Sequence, residues 1–459
     1  MKRLIYILLI FAAVSTSCTK FLDIKPYGKT IPKTPDEFAS LLHTILEDID
    51  YGEEDIIGDV SSIANLECYA DNLEANLTTY PQGDYLPLYI GAHLSSKQNR
   101  YAHLYDSIKD CNIILDNMTE KDSELAKNVL GVAYALRGIC YYNLLRDFSE
   151  PAVGNPDGLG VPLVIRFDME GRPVRSTISQ IYRQIEDDML KAISYNVTEK
   201  IYRINADVME GYLARLYFWT GQWSKAADYA EKVMVKHPMI SIAEYPQMIT
   251  SELNAKGNVI FKSTILYDSS AQNIYGGVKT NLKARPLSKR FVDLFAEKER
   301  DVRYELSFDR RRVYKKAPFA GLRTAEMYLI LMESLYHLED ETGALAALND
   351  FRKFRIEGVE DYTMETLPTV NPDEYITVDV YGRQLSPLLN AILNERRKEL
   401  FMEGDRWYEL KRNGRPEFWA AKQGRKYVTK SYMYTFPLPV QDIELVDGLI
   451  QNPGYEKVK

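Results

Sequence analysis

The chain has 459 residues, 46% of them hydrophobic, which is enough material for a large buried core. Lys and Arg number 57 against 65 Asp and Glu, giving a formal net charge of −8. With no basic stripe on so acidic a chain, nucleic acid is a poor partner for it.

The first feature in chain order is an export signal. Lys2 and Arg3 give a positive start, Leu4 to Val14 is an apolar run, and Ser15, Thr16 and Ser17 lead into Cys18. This order is that of a signal peptide over residues 1–17, and the run is too short to cross ~30 Å of hydrocarbon. A Cys directly after such a segment is the usual acceptor of a diacylglyceryl group, so Cys18 is read as a lipid anchor; Ser15 stands where such signals prefer Leu. Two acyl chains, at ~0.8 kcal/mol per buried CH₂, anchor a protein without a membrane helix. Further on, the richest apolar window, Met327 to Met332, ends at Glu333 and reads as a buried helix face, so the mature part is expected to be soluble and tethered. Cys68, Cys111 and Cys140 have no metal or redox spacing. Cys111 and Cys140 lie in helical apolar stretches and read as buried thiols, a bridge between them being the alternative.

Residues 18–34 form a Pro- and Gly-punctuated lead. A helix should open at Thr34-Pro35-Asp36-Glu37, with Phe38, Leu41, Leu42 and Ile45 on one face. Residues 52–98 lack clear periodicity and are rich in Asp, Asn, Tyr, Pro and Gly. Three-to-four spacing returns over Tyr101–Met118 and Ser123–Phe148, and their short connector predicts an antiparallel pair. Asp207 to Pro238 matches a tetratricopeptide repeat, with Leu213, Ala214 and Tyr217 in the first helix, Gly221 ending it, and Trp223, Ala226 and Ala230 in the second. A looser copy runs from Leu322 to Arg355. Between these, Asn258–Leu266 reads as a short strand, Tyr267–Lys283 as a polar loop, and Glu357–Tyr381 as a further excursion. Long loops in a compact domain are commonly functional.

Several blocks carry a family resemblance. They are Cys18 to Pro26, Pro35-Asp-Glu-Phe38, Tyr105 to Asn112, Ala133 to Arg137 with Tyr141-Tyr142, and Ala325 to Ile330. The most specific are Asn394 to Leu400, Glu403 to Arg406 and Leu410 to Gly414, followed by Phe436 to Pro439 and Gln451 to Tyr455. In these the chain resembles the SusD/RagB family of outer-membrane nutrient-binding lipoproteins. The resemblance implies a mostly α fold, with about four tetratricopeptide-like hairpins as a scaffold for an irregular ligand-binding lobe and minor β structure. It divides the mature chain into an N-terminal region, 35–240, with hairpins and ligand loops, and a C-terminal region, 241–459. It also implies a TonB-dependent, SusC-like β-barrel transporter as partner and an oligosaccharide, or a peptide, as ligand. It further implies a place on the cell-surface face of the outer membrane; Thr19, Lys20, Phe21 and Leu22 precede the first acid, Asp23, which keeps the periplasmic face as the alternative.

The charged block tempts a catalytic reading, since Glu399 and Glu403 stand four apart, as if on one helix face. A glycosidase instead needs carboxylates facing each other across a bond. Flanked by Arg396, Arg397 and Arg406, they read better as an ion-pair lattice, with Gly404 at a turn and Trp407 in the core; no catalytic residue is assigned. Sugars are bound by aromatic faces with hydrogen-bonding neighbours. The first loop offers Tyr69, Asp71, Asn72, Tyr80, Asp84, Tyr85 and Tyr89, and the second Tyr267, Asp268, Gln272, Asn273 and Tyr275. No nucleotide, dinucleotide, hydrolase-triad, zinc or EF-hand motif is present, so no cofactor or metal is expected. The readings are a lipoprotein that binds oligosaccharides and delivers them to a transporter, a peptide-binding relative of it, and a tetratricopeptide protein–protein scaffold.

Overall fold

The computed structural model describes residues 32–52, 56–58, 60–74, 94–168, 170–250, 258–263, 282–283, 285–422 and 425–455. The signal peptide, the Cys18 anchor and the lead through residue 31 lie outside the described residues, as do Tyr80, Asp84, Tyr85, Tyr89, Tyr267, Asp268, Gln272, Asn273 and Tyr275.

Helix α1, Pro35–Tyr51, opens where the sequence places it. Thr34 Oγ1 accepts from the Glu37 amide, and the Glu37 carboxylate accepts from the Thr34 amide, so two orphan N–H groups are satisfied at once. Phe38, Leu42 and Ile49 form its buried stripe, and Gly52, at φ 70°, ends it. One helix then lies wholly in the stretch read as irregular, and another begins in it. Helix α2, Val60–Tyr69, is covered on both sides: Leu66 and Tyr69 join the main core, and Ala64 and Cys68 a second cluster. A helix without a polar face shows no apolar alternation, which is why periodicity misses it. Helix α3, Leu94–Asn117, starts before its expected first residue and packs against α4, Glu124–Phe148, as an antiparallel hairpin.

Layer by layer, α5 (Ile178–Ser194) packs on α4, α6 (Ala206–Trp219) on α5, and α7 (Trp223–Lys236) on α6. Helices α6 and α7 are the expected tetratricopeptide hairpin. Gly221 takes φ 72° at the turn, and Ala226 and Ala230 are fully buried where the helices close on each other. After α8 (Tyr245–Thr250), α9 (Lys289–Asp293) and α10 (Val302–Ser307), helices α11 (Thr324–His337) and α12 (Glu341–Lys353) form the looser repeat. Met327, Leu329, Ile330 and Met332 are fully buried, as the Met327–Met332 window implies. Helix α11 also packs on α7, so the hairpins stack without a break despite the inserts between them. Trp223 is the peg: its ring stacks on His337 at 4.3 Å and its Nε1–H donates to the Tyr381 hydroxyl at 2.7 Å.

Strands are few: β1 (Leu159–Pro162) pairs with β2 (Arg175–Thr177), β3 (Val259–Lys262) with β4 (Gly321–Arg323), and β5 (Phe418–Lys422) with β6 (Arg425–Thr429), all antiparallel. The segment 357–381 is irregular throughout, as expected. Helices α13 (Pro387–Glu399), α14 (Asp405–Arg412) and α15 (Val440–Leu445) complete the chain. Cys68, Cys111 and Cys140 are buried free thiols, so no bridge joins Cys111 to Cys140. Among the described residues no helix is long and apolar enough to cross a membrane.

Candidate functional site

The charged block folds into a buried lattice. Helix α13 stops at Glu399, and the chain turns through Met402 (φ 62°) and Gly404 (φ 73°) into α14. Glu403 therefore sits in the turn, not on a shared helix face with Glu399. Glu399 accepts from Arg323 at 2.9 Å, from Arg355 at 2.9 and 3.0 Å, and from Arg303 at 3.5 Å. Glu403 accepts from Lys316 at 2.8 Å and from Arg323 at 2.7 and 3.0 Å. Burial alone would raise the Glu399 carboxyl, but the Arg355 and Arg323 guanidiniums outweigh it and hold it well below the ordinary carboxylate range. The expected lattice is present, with different partners: Arg396 binds Asp405 at 2.6 and 2.8 Å, and Arg397 and Arg406 both bind Asp71. Carboxylates so fully committed to cations stabilise packing. Removing one partner of such a pair costs about 3–5 kcal/mol, because the other is left charged and buried.

Three expected ligand residues belong to this interior. Tyr69 packs edge-on against the fully buried Trp407 at 5.6 Å. Asn72 donates to Glu67 at 3.0 Å and accepts from Arg397 at 2.8 Å. Asp71 takes Arg397 and Arg406 on its two oxygens, which hold its carboxyl far down against the upward pull of burial. Asp, Asn and Tyr mark wet loops and buried polar networks alike, and composition does not separate the two.

Beside that interior lies a cleft of about 360 Å³, within the range of small-ligand sites. Residues 72–74 form one wall by pairing with 286–288: the Glu74 amide donates to the Pro286 carbonyl at 2.8 Å and the Ser288 amide to that of Asn72 at 2.7 Å. Glu74 and Arg285 line this wall, and in sequence they adjoin the two loops expected to hold ligand. Of the three interior residues, only Asp71 reaches the cleft. The opposite side is aromatic. Tyr375 stacks on Phe418 at 4.9 Å and 19°, Trp419 stands next to it half-buried, and the Arg290 guanidinium covers the Tyr375 ring at 4.0 Å. Arg285 donates to the carbonyls of Cys68 (2.9 Å), Glu74 (3.0 Å) and Leu73 (3.3 Å). Arg290, Tyr375 and Trp419 were not among the expected contacts. Tyr375 lies in the 357–381 excursion, whose length was a usable signal; Arg290 and Trp419 become neighbours only through the fold. A second cavity, about 290 Å³, adjoins Glu150, Asp379, Lys411 and Arg415 and has no aromatic wall. Among the described residues no group of His, Cys, Asp and Glu could hold a metal ion.

Comparison with known proteins agrees with this architecture. Residues 307–455 match the model of the SusD family, and residues 20–218 match a model described as starch-binding, associating with the outer membrane. No curated protein matches the sequence significantly. Among solved structures, a SusD superfamily protein from Bacteroides thetaiotaomicron is 22% identical, with a TM-score of 0.66 over 92% of this chain and 100% of its own. A SusD superfamily protein from Bacteroides vulgatus is 18% identical, with a TM-score of 0.69 over 93% and 100%. A SusD-like carbohydrate-binding protein from the same species is 18% identical, with a TM-score of 0.65 over 91% and 98%. Matched at both ends by family models and sharing the helical fold throughout, the chain belongs to the SusD/RagB family.

Proposed function

We propose that this protein is an outer-membrane lipoprotein, anchored through Cys18, that binds oligosaccharides and hands them to a TonB-dependent β-barrel transporter. The observation that carries the binding half is the cleft between residues 70–74 and Tyr375, Phe418 and Trp419: concave, aromatic on one side and polar on the other. Aromatic faces cover the C–H side of a pyranose while charged and amide groups bond its hydroxyls. The family's description as starch-binding and the carbohydrate-binding name of one structural neighbour support a sugar over a peptide. The two loop segments adjoining the cleft, with Tyr80, Asp84, Tyr85 and Tyr89 on one and Tyr267, Asp268, Gln272, Asn273 and Tyr275 on the other, complete the proposed contacts. Capture is weak and multi-contact, which suits release into a transporter.

The test is calorimetry of the full-length protein in detergent against matched panels of oligosaccharides and peptides, with pull-down from solubilised outer membranes. Saccharide binding that is lost in Trp419→Ala, together with recovery of a β-barrel partner, is the expected result. Peptide binding alone would replace the sugar reading, and recovery of a barrel with no small ligand would leave a scaffold.

A further inference from the structure

The cleft carries more positive charge than its own carboxylates cancel. Asp71 and Glu374 are matched by Arg397 and Arg406, and Glu74 by Arg312. Lys289 pairs with Asp293 one turn along α9, both exposed. Among the described residues two guanidiniums are left over. Arg285 donates to three backbone carbonyls and lies against the buried Cys68 thiol, contacts that satisfy its N–H groups without neutralising it. Arg290 lies flat on Tyr375, and its Nε is shielded from solvent with no hydrogen-bond partner among the described residues. A buried donor without an acceptor is costly, and of the described side chains that line this cleft Arg290 alone keeps one, so an oxygen of a bound ligand would remove that cost.

Resting on the oligosaccharide reading, we infer that the ligand is an anionic oligosaccharide, with a uronate or sulfate group accepting from Arg290 and Arg285 beside the ring of Trp419. A neutral sugar hydroxyl could accept from Nε but would leave both charges uncompensated as the cleft loses water. An anionic oxygen serves both ends, and the charge-assisted bond is about twice as strong as a neutral one. Stacking on Tyr375 holds the planar guanidinium in place beforehand, so little order is lost when the anion binds.

The test uses the full-length protein in detergent and three probes of similar length: an oligogalacturonide, a carrageenan oligosaccharide, and a neutral maltooligosaccharide. The expected result is that one or both acidic probes bind more tightly than the neutral one. Arg290→Gln should then weaken them by roughly tenfold or more, Arg290→Lys should weaken them less, and added salt should weaken binding by the unaltered protein. The two acidic arms separate carboxylate from sulfate recognition. Equal or tighter binding of the neutral probe overturns this inference and leaves the sugar reading standing; binding of no saccharide overturns both. Should Arg290→Gln fail to fold, the salt dependence and probe order of the unaltered protein still decide the matter.

Discussion

Single carboxylates in this protein do opposite things according to what faces them. Glu399 is surrounded by three arginines and stays ionised, whereas Glu67, equally buried, accepts hydrogen bonds only from amides, with the Lys316 charge as the smallest influence on it. Asn72 donates to it at 3.0 Å and the Met402 amide at 2.9 Å. Burial dominates there and pushes the Glu67 carboxyl up from 4.5 to about 7. A carboxyl whose folded value is raised stabilises the fold fully below its unfolded value and loses that contribution as pH climbs through the folded one. Glu67 should therefore favour the folded state below about pH 4.5 and surrender about 3 kcal/mol by pH 8. Glu67→Gln imitates the protonated form at every pH. Urea unfolding at pH 5 and pH 8 should show the native protein losing stability relative to this variant at the higher pH; an equal gap at both would place the charge elsewhere. Residue type alone pointed to ion pairs in this block but not to the right partners. Arg303, Arg323 and Arg355 lie 96, 76 and 44 residues from Glu399, and nothing in local spacing encodes that meeting.

At the scale of elements, length and repeat pattern decided what was legible. The α3–α4 and α6–α7 hairpins were announced by three-to-four spacing over long stretches and by repeat positions, although α4 is buried around most of its surface. Helix α5 carries a readable signal in its sequence: the Thr177–Gln180 capping box, then Ile178, Ile181, Ile185, Met189 and Ala192 on one face. Helix α2 gave no such signal, being wrapped by core on both sides. Within the tetratricopeptide hairpin the sharpest requirement falls on Gly221. Its φ of 72° is left-handed, and a Cβ there would stand 3.2 Å from both methyls of Val153. Gly221→Ala should cost about 1 kcal/mol or somewhat more, from the strained backbone plus the crowding. The denaturant midpoint should fall with the slope unchanged, since the extent of surface exposed on unfolding stays the same. An unshifted midpoint would mean that the turn can relax without disturbing Trp223, whose ring holds this hairpin against α11.

Over the whole molecule, the two regions read from the sequence, 35–240 and 241–459, are stitched together at their most buried points. Asp71 is held by Arg397 and Arg406, and Asp147 by Arg100, Tyr408 and the Phe436 amide on its carbonyl. Lys411 donates to the Arg146 carbonyl at 2.6 Å, and Asn452 donates to those of Phe148 and Phe436 at 2.9 and 2.7 Å. Apolar packing crosses the same line, since Trp407, Leu410, Phe436 and Leu438 belong to one cluster with Phe38, Leu104 and Leu144. The boundary legible in the sequence is thus crossed by buried polar contacts, since both guanidiniums that bind Asp71 come from the other side and Asp147, paired with Arg100 on its own side, also takes Tyr408 and the Phe436 amide from across it. Residues 35–240 produced alone would leave Asp71 without Arg397 and Arg406 and Asp147 without Tyr408, and would expose a broad apolar face. We expect that fragment to lack a cooperative unfolding transition and to bind a hydrophobic dye, while residues 32–455 unfold in a single step. Cooperative melting of the fragment would show instead that its hairpins form a self-sufficient core. The cleft would then lie between two stable bodies, and ligand binding would be free to change the angle between them. In the stitched molecule the described walls of the cleft, residues 70–74 on one side and Tyr375 and Phe418 on the other, are instead held in place by the same buried contacts that join the two regions.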